Sequence, residues 1–352
     1  TPAYEMEDGV DYVPADTNIV FGHQFASIAG AGPINGPIQA AIFGWLPVLL
    51  WILIGGVFFG AVQDFASMYA SVKNKGRTIG YIIEEYIGKL GKKLFLLFCW
   101  LFCILVVAAF ADVVAGTFNG FVADDAGTVS KVAANGAVAT TSMLFIVEAV
   151  ALGCILKYAK LNKWVNTAIA IVMLVAAVAL GLYFPMYLTR ETWHILIFIY
   201  ILIASVAPVT MLLQPRDYLN SYLLIFMIAA AVVGVFMSNP TVTVPAFTGF
   251  KSATGSYLFP TLFVTIACGA VSGFHSLVSS ETSSKMVKNE KDMLQVGYGS
   301  MLLESLLAVL VIVIVGSLPN LKQTGVLDTA LANMALADTA TPFTKFSAGV
   351  TG

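Results

Sequence analysis

The sequence predicts an all-α polytopic membrane protein with about nine transmembrane segments, some of them discontinuous helices. Of 352 residues, 59% are hydrophobic and only 11% are charged, against roughly 25% charged residues in soluble domains. The apolar residues fall in blocks of about 20, the length of helix that crosses a ~30 Å hydrocarbon core. A net charge of -2 and the lack of a long basic tract argue against nucleic acid as a partner.

Apolar runs between charged breaks define the nine predicted spans. In chain order they are Phe21–Gly44, Leu46–Val72, Leu94–Thr117, Ala139–Leu156, Val165–Tyr183, Trp193–Leu213, Tyr218–Met237, Leu258–Ser280 and Gly297–Leu318. The stretch from Gly76 to Lys93 has the pattern of an amphipathic helix on the membrane surface. We predict one transmembrane transporter domain over residues 1–352, truncated at both ends.

The basic residues predict the orientation of these spans, because Lys and Arg accumulate in cytoplasmic loops. Alternate loops on one side carry 13 of the 18 basic residues: Lys73, Lys75, Arg77, Lys89, Lys92, Lys93, Lys157, Lys160, Lys163, Arg216, Lys285, Lys288 and Lys291. The other side carries Lys131, Arg190, Lys251, Lys322 and Lys345. The 13-residue side, and with it the Thr1 end, is therefore predicted to be cytoplasmic.

The first predicted span contains a cluster of helix-breaking residues. Gly30, Gly32 and Gly36 each disfavour a helix by about 1 kcal/mol relative to Ala, and Pro33 and Pro37 lack an N–H donor. Transporters use broken helices to bind anionic groups and cations with free backbone groups. The alternative is that these glycines only permit close helix packing.

A second stretch, Phe263–His275, repeats the pattern of Phe25–Gly32, with Phe, a hydroxyl residue, Ile and Ala in phase before a run of small residues. In the predicted topology the two stretches cross the membrane in opposite directions, as an inverted repeat requires. We predict a substrate site formed by both stretches and lined by Gly30, Gly32, Pro33, Asn35, Gly36, Gly269, Ser272 and Gly273.

Ionisable side chains within the predicted spans are candidates for ion coupling, because burying such groups in a membrane is costly without a partner or a cavity. Asp64, Glu304 and His275 fall in the inner halves of their spans and His23 near an inner end, which predicts an inner-side polar cluster. The full set of candidates is Asp64, His23, His275, Glu148 and Glu304. The coupling ion is H⁺ or Na⁺. The alternative is a structural hydrogen bond between helices.

Two pairs of residues allow more than one interpretation. Arg216 and Asp217 follow Pro215 in a tight turn, and they predict either a gate or anchor, or a plain helix cap. Cys99 and Cys103 share one helix face without a His or an acid at ligand spacing, which favours packing over a metal site. We predict neither a metal nor another cofactor.

Several motifs resemble the carbon starvation protein family, CstA, from about Gly9 to about Leu318. They are Asp11–Pro14 (DYVP), Phe21–His23 (FGH), Ala29–Ile34 (AGAGPI), Gly60–Phe65 (GAVQDF), Pro215–Tyr218 (PRDY) and Thr265–His275 (TIACGAVSGFH). The resemblance implies a bacterial inner-membrane transporter that takes up peptides and pyruvate during nutrient limitation with proton symport. It also implies kinship with LeuT-like transporters of the amino acid-polyamine-organocation type, which have two inverted repeats of five helices.

The leading hypothesis is therefore proton-coupled import of pyruvate or short peptides by a protein embedded in the lipid bilayer. A passive channel for small metabolites is the first alternative, and saturation kinetics would separate the two. A membrane-embedded enzyme that uses His23, Asp64 or His275 is the second. It is disfavoured because no nucleophile, base and orienting group stand at readable spacing. The choice between pyruvate and peptide and the oligomeric state stay open.

Overall fold

The structure is a computed structural model that describes residues 1–123, 129–158, 162–207, 213–252 and 255–323, and it is mostly helical there. The chain divides into two compact units. The first unit comprises Thr1–Glu7, Tyr12–Ile82 and Leu223–Gly352, and the second comprises Asp8–Asp11 and Ile83–Tyr222. The first unit contains both broken helices and four of the buried ionisable residues singled out in the sequence: His23, Asp64, His275 and Glu304.

The helices and strands follow one another as short and long segments. The early helices are α1 (Pro2–Glu5), α2 (Thr17–Ile28), α3 (Gly32–Ala40), α4 (Trp45–Ile54), α5 (Ala61–Lys73) and α6 (Ile79–Tyr86). The middle of the chain forms α7 (Lys89–Phe118), β1 (Phe121–Ala123), β2 (Val129–Lys131), α8 (Ala133–Tyr158), α9 (Lys163–Tyr183), α10 (Arg190–Val206) and α11 (Leu213–Ser238). The remaining helices are α12 (Leu258–Thr265), α13 (Ala267–Ala270), α14 (Gly273–Glu281) and α15 (Ser300–Gln323).

Irregular helical turns connect several of these elements. A 3₁₀ turn, Ala41–Phe43, follows α3, and another, Ser283–Lys285, follows α14. A π-helical turn, Gly55–Gly60, joins α4 to α5, and a second, Leu294–Gly299, leads into α15. Strands β1 and β2 form an antiparallel hairpin.

Six helices in the described residues are long and apolar enough to cross a membrane. They are Trp45–Lys73, Lys89–Phe118, Ala133–Ile155, Trp164–Tyr183, Pro215–Ser238 and Leu294–Ser317, and each overlaps one predicted span. The other three predicted spans are not among these six helices, for physical reasons. Two are broken into shorter helices, and the third corresponds to α10, which has 17 residues, somewhat short of the ~20 that span a bilayer. The count of nine and the LeuT-like arrangement remain predictions.

The amphipathic surface helix predicted between Gly76 and Lys93 is shorter than expected. Helix α6 covers only Ile79–Tyr86. Gly88, with a φ of 108°, separates it from the next helix. Helix α7 then begins at Lys89, five residues before the predicted span, because lysine side chains can extend from the first turn of a membrane helix towards water.

Helix α15 is the central element of the first unit. Within its apolar window 61% of the residues are buried, against 33% or less in the other five long helices. Leu307 and Val311 pack with Phe25 of α2 and with Ile228 of α11, while Ala308 and Ile312 pack with residues of α4, α12 and α13. The broken helices therefore pack around one continuous helix.

The second unit is a layer of long helices with large exposed apolar surfaces. Trp193 of α10 packs edge-on against Phe118 of α7 at 5.1 Å between ring centroids. A Cβ on Gly181 of α9 would overlap the Thr141 hydroxyl of α8, so a glycine is needed where these helices approach. Leu105 and Phe98 on α7 are more than 60% exposed, as expected of side chains that face lipid.

Candidate functional site

The first predicted span is broken, as its glycines and prolines predict. Helix α2 ends at Ile28 and α3 begins at Gly32. Between them Ala29 has φ -73° and ψ 62°, and the Gly30 N–H donates to the Ile28 carbonyl at 2.7 Å. This is an inverse γ-turn, and it interrupts the helical hydrogen-bond ladder within an apolar segment.

The glycines of the same segment also permit close packing, so a helix break and close helix packing occur together here. A Cβ on Gly32 would overlap the side chain of Cys268, and a Cβ on Gly36 would lie 2.6 Å from the Thr265 carbonyl oxygen. A Cβ on Gly269 would lie 3.6 Å from the Pro33 Cα atom. Helix α3 therefore packs closely on α12 and α13, which precede the second break.

The second break lies between α13 and α14. Val271 has φ -160° and ψ 114°, and Ser272 has φ -120° and ψ 126°, so both residues are extended between two helices. The second predicted stretch thus breaks at its Val-Ser-Gly sequence. The predicted site residues Gly269, Ser272 and Gly273 all lie at this break, and Gly30, Gly32 and Pro33 lie at the first one.

Three buried ionisable side chains meet next to the second break. His275 of α14 lies between Asp64 of α5 and Glu304 of α15, and we call these three residues the triad. The distance from His275 Nδ1 to Asp64 Oδ2 is 3.2 Å and that from Nε2 to Glu304 Oε2 is 3.3 Å. All three side chains are at most 1% exposed. The sequence predicted that these residues would lie at a similar depth, and the structure brings them into contact.

The triad contacts are close but do not have the angles of hydrogen bonds. The carboxylate oxygens of Asp64 and Glu304 and both ring nitrogens of His275 lack a hydrogen-bond partner among the described residues. A neutral imidazole donates through one nitrogen and an imidazolium through both. Placed between two carboxyl groups, the ring can share or exchange a proton with either side. A single proton therefore changes the charge of the triad.

Each acid of the triad has a sequence neighbour that holds the second break. Gln63 Nε2, next to Asp64, donates to the Ser272 carbonyl at 2.9 Å. Ser305 Oγ, next to Glu304, donates to the Gly269 carbonyl at 3.3 Å. Backbone carbonyls released from a helix need such donors inside a membrane. Each acid is thus one residue away from a side chain that hydrogen-bonds to the broken backbone, Gln63 in α5 and Ser305 in α15.

Two π-helical turns, which were not predicted from the sequence, precede the two acids of the triad. Gly55–Gly60 ends four residues before Asp64, and Leu294–Gly299 ends five residues before Glu304. The two turns contact each other through the Tyr298 hydroxyl, which donates to the Val57 carbonyl at 3.2 Å. Single π-helical turns occur frequently at functional sites, and the glycines of the first turn were its only sequence signal.

The remaining predicted coupling residues lie outside the triad. His23 Nε2 is 3.1 Å from the Thr282 hydroxyl. Glu148 lies on α8 of the second unit, where its Oε2 atom is buried without a hydrogen-bond partner among the described residues. Asn35 on α3, which was predicted to line the substrate site, also has a buried Oδ1 atom without such a partner. A sequence gives the depth of a residue in its span but not the direction its side chain takes, which explains why His23 and Glu148 were coupling candidates together with the triad residues.

Arg216 and Asp217 form an ion pair at the start of α11, within the second unit. Arg216 Nη2 lies 3.1 Å from Asp217 Oδ1, and Nη1 donates to the Tyr200 hydroxyl of α10 at 2.9 Å. The pair therefore ties α11 to α10. The predicted roles, a gate, an anchor or a plain helix cap, remain predictions.

The described residues contain no group of three or more His, Cys, Asp or Glu side chains arranged to hold a metal ion. In the triad the two carboxyl groups contact opposite nitrogens of the imidazole, so the ring occupies the space between them. The arrangement is suited to moving a proton.

Comparisons with known proteins agree on one protein family. The sequence profile described as carbon starvation protein CstA matches residues 1–351. The chain is 38% identical over 329 residues to the peptide transporter CstA of Escherichia coli K12, covering 89% of this chain and 44% of the relative. It is 37% identical over 326 residues to the pyruvate/proton symporter BtsT of the same organism, covering 89% of this chain and 44% of that relative.

A Bacillus subtilis 168 peptide transporter CstA is also 37% identical over 335 residues, which cover 89% of this chain and 52% of the relative. The chain thus spans about half the length of the curated relatives it matches. No solved structure matches it significantly.

Proposed function

Because this chain belongs to the carbon starvation protein CstA family, we propose that it forms the core of a secondary active transporter in the bacterial inner membrane. The transporter imports pyruvate or short peptides together with protons when carbon is scarce. The names of the relatives, peptide transporter and pyruvate/proton symporter, support this substrate range and a transport role in place of catalysis.

In this proposal all nine predicted segments cross the membrane, with the Thr1 end in the cytoplasm. The two broken segments form equivalent parts of an inverted repeat of the LeuT-like type. Two local features support the inverted repeat. Both stretches break at their small residues, and α3 packs on α12 and α13 through Gly36 and Gly32.

The substrate site lies at the paired breaks. Pyruvate and a peptide share one feature, a carboxylate, and the first turns of α3 and α14 offer backbone N–H groups and the positive ends of helix dipoles to such a group. The lining residues are those predicted from the sequence: Gly30, Gly32, Pro33, Asn35, Gly36, Gly269, Ser272 and Gly273. The buried amide oxygen of Asn35 suits the ammonium or amide N–H donors of a peptide, which pyruvate does not have.

The observation that carries the proposal is the connection between the triad and the second break. Gln63 and Ser305 hold the carbonyls of that break, and each adjoins an acid that contacts His275. When the triad gains a proton, the charge beside the break becomes more positive and favours an anionic substrate. Release of the proton reverses this effect. Substrate and proton therefore travel together.

Uptake into proteoliposomes tests this function. The protein, expressed as its gene encodes it, is reconstituted and supplied with labelled pyruvate or labelled dialanine, with and without an inward proton gradient. We expect saturable accumulation of at least one of the two above equilibrium only with the gradient. Equilibration of both without saturation would indicate a channel, and failure to accumulate either would contradict the proposal.

A further inference from the structure

A line of buried hydroxyl groups leads away from the triad along two facing helices. Helix α5 contributes two of these serines, and α14 with its following 3₁₀ turn contributes the others. We call this set the serine seam: Ser67, Ser71, Ser279, Ser280, Ser283 and Ser284. Ser67 is 8% exposed and the other five are fully buried.

Both halves of the seam start beside a member of the triad. Ser67 and Ser71 follow Asp64 at the helical spacing that keeps them on one face of α5, with Ser71 about 10 Å from Asp64 along the axis. Ser279 follows His275 by one turn of α14. From the triad, both halves run towards the ends of their helices at Lys73 and Lys285, on the side that the basic residues predict to be cytoplasmic.

Two sets of hydrogen bonds join parts of the seam. Gln24 of α2 donates through Nε2 to Ser279 Oγ at 2.8 Å and accepts from Ser283 Oγ at 2.6 Å. Ser71 Oγ lies 2.9 Å from Ser284 Oγ and 2.9 Å from the Ser280 carbonyl oxygen. A hydroxyl is both donor and acceptor, so the serines can pass a proton by exchanging their hydrogen bonds. The Gln24 amide can do so by gaining a proton on Oε1 and releasing one from Nε2, which gives its imidic acid form until the amide is restored.

The mechanism needs such a route, because the triad is buried and the proposed function requires its proton to reach water. Helix contacts in membranes are commonly made by small residues without a continuous polar line. We propose that the serine seam and Gln24 are the route by which the triad exchanges its proton with the aqueous face at Lys73 and Lys285. This inference rests on the proposed proton symport and names the residues that give the proton access to one side.

The variant Gln24→Met tests the route at its central bridge. Methionine keeps the length and shape of the side chain but can neither donate nor accept a strong hydrogen bond. Two rates are measured in proteoliposomes: pyruvate-driven proton uptake, followed with an internal pH dye, and counterflow of labelled pyruvate, which exchanges substrate without net proton movement. We expect Gln24→Met to slow proton uptake at least about tenfold while counterflow keeps the wild-type rate.

Two comparison variants separate proton transfer from packing. Gln24→Glu restores a side chain that carries a proton, and we expect it to recover proton uptake. Ser317→Ala on α15 is the matched control, because among the described residues the Ser317 hydroxyl bonds only within its own helix, to the Val313 carbonyl at 2.7 Å. Both rates should stay at wild-type values in this control.

The outcomes that overturn the route differ from those that overturn the transport function. Unchanged proton uptake in Gln24→Met, or an equal fall of proton uptake and counterflow, would assign the seam to structure alone. If Gln24→Met does not fold, Ser71→Ala with Ser279→Ala must show the same selective loss of proton uptake, and its absence would also reject the route. Absence of both rates in the wild-type protein would reject the proposed function itself.

Discussion

At the scale of single residues, the arrangement of Asp64, His275 and Glu304 determines what the site can do. Each is an ionisable group inside an apolar segment, and His275 contacts both Asp64 and Glu304. The sequence predicted the similar depth of these residues, because depth follows from position in a span. Their contact depends on how each of the three helices is rotated about its own axis, and only packing determines those rotations. Glu148 and His23 show the limit of the same reasoning.

Replacing Glu304 by Gln should uncouple transport from the proton gradient. The amide keeps the shape of the side chain but cannot take up a proton. We expect gradient-driven accumulation of labelled pyruvate to fall by about 100-fold, with counterflow retained. The matched control is Glu191→Gln at the exposed start of α10, which should accumulate pyruvate normally. Normal accumulation by Glu304→Gln would remove Glu304 from the coupling mechanism.

Ser305→Ala should weaken substrate binding without abolishing coupling. The change leaves the Gly269 carbonyl without its side-chain donor, a loss of about 1 kcal/mol, and so distorts the second break. We expect the KM for the transported substrate to rise about fivefold, measured as initial uptake rates over a concentration series. Ser317→Ala is the control, because the Ser317 hydroxyl bonds, within the part of the chain that the structure describes, only to the Val313 carbonyl of the same helix. Equal KM values for both variants would contradict this role.

At the scale of helices and turns, the two breaks give the molecule its site. Glycines and prolines predicted the first interruption, because they disfavour a helix interior. The second stretch was predicted to belong to the same site because it repeats the pattern of the first. The π-helical turns at Gly55–Gly60 and Leu294–Gly299 could not be predicted in the same way. They depend on a contact between distant segments, Tyr298 with Val57, and local propensity contains no information about such a partner.

Gly36→Ala should destabilise the protein, since the new Cβ would lie 2.6 Å from the Thr265 carbonyl oxygen. We expect a loss of about 1–3 kcal/mol, seen as a lower midpoint of thermal unfolding in detergent. Gly234→Ala in α11 is the matched control, because a Cβ there meets no atom within 4 Å. Its midpoint should stay the same or rise, as alanine favours helix. Equal midpoints for the two variants would show that α3 does not pack closely on α12.

At the scale of the whole molecule, hydropathy predicted the six long helices well. It could not show by length alone whether the three remaining segments cross, because two are broken into shorter helices and the third, α10, has 17 residues. The family assignment came from motifs spread over most of the chain, and the profile match over residues 1–351 confirms it. Which solute is carried depends on side chains around the breaks that a composition or a hydropathy pattern does not identify.

Labelling of introduced cysteines tests the predicted topology across a broken segment. Lys251→Cys and Lys285→Cys flank the predicted span Leu258–Ser280, which is not among the six long helices. We expect an impermeant thiol reagent to label Lys251→Cys from the periplasmic side and Lys285→Cys only after the cytoplasmic side is opened. The unmodified chain, with its own four cysteines, gives the background. Labelling of both variants from one side would show that this segment does not cross.

The most direct test of the account is a cryo-electron microscopy map of the protein with saturating pyruvate or dialanine. The account predicts density for the substrate carboxylate within about 4 Å of backbone N–H groups at the two breaks, beside Pro33 and Ser272. Substrate density elsewhere, with both breaks closed around protein atoms alone, would contradict it.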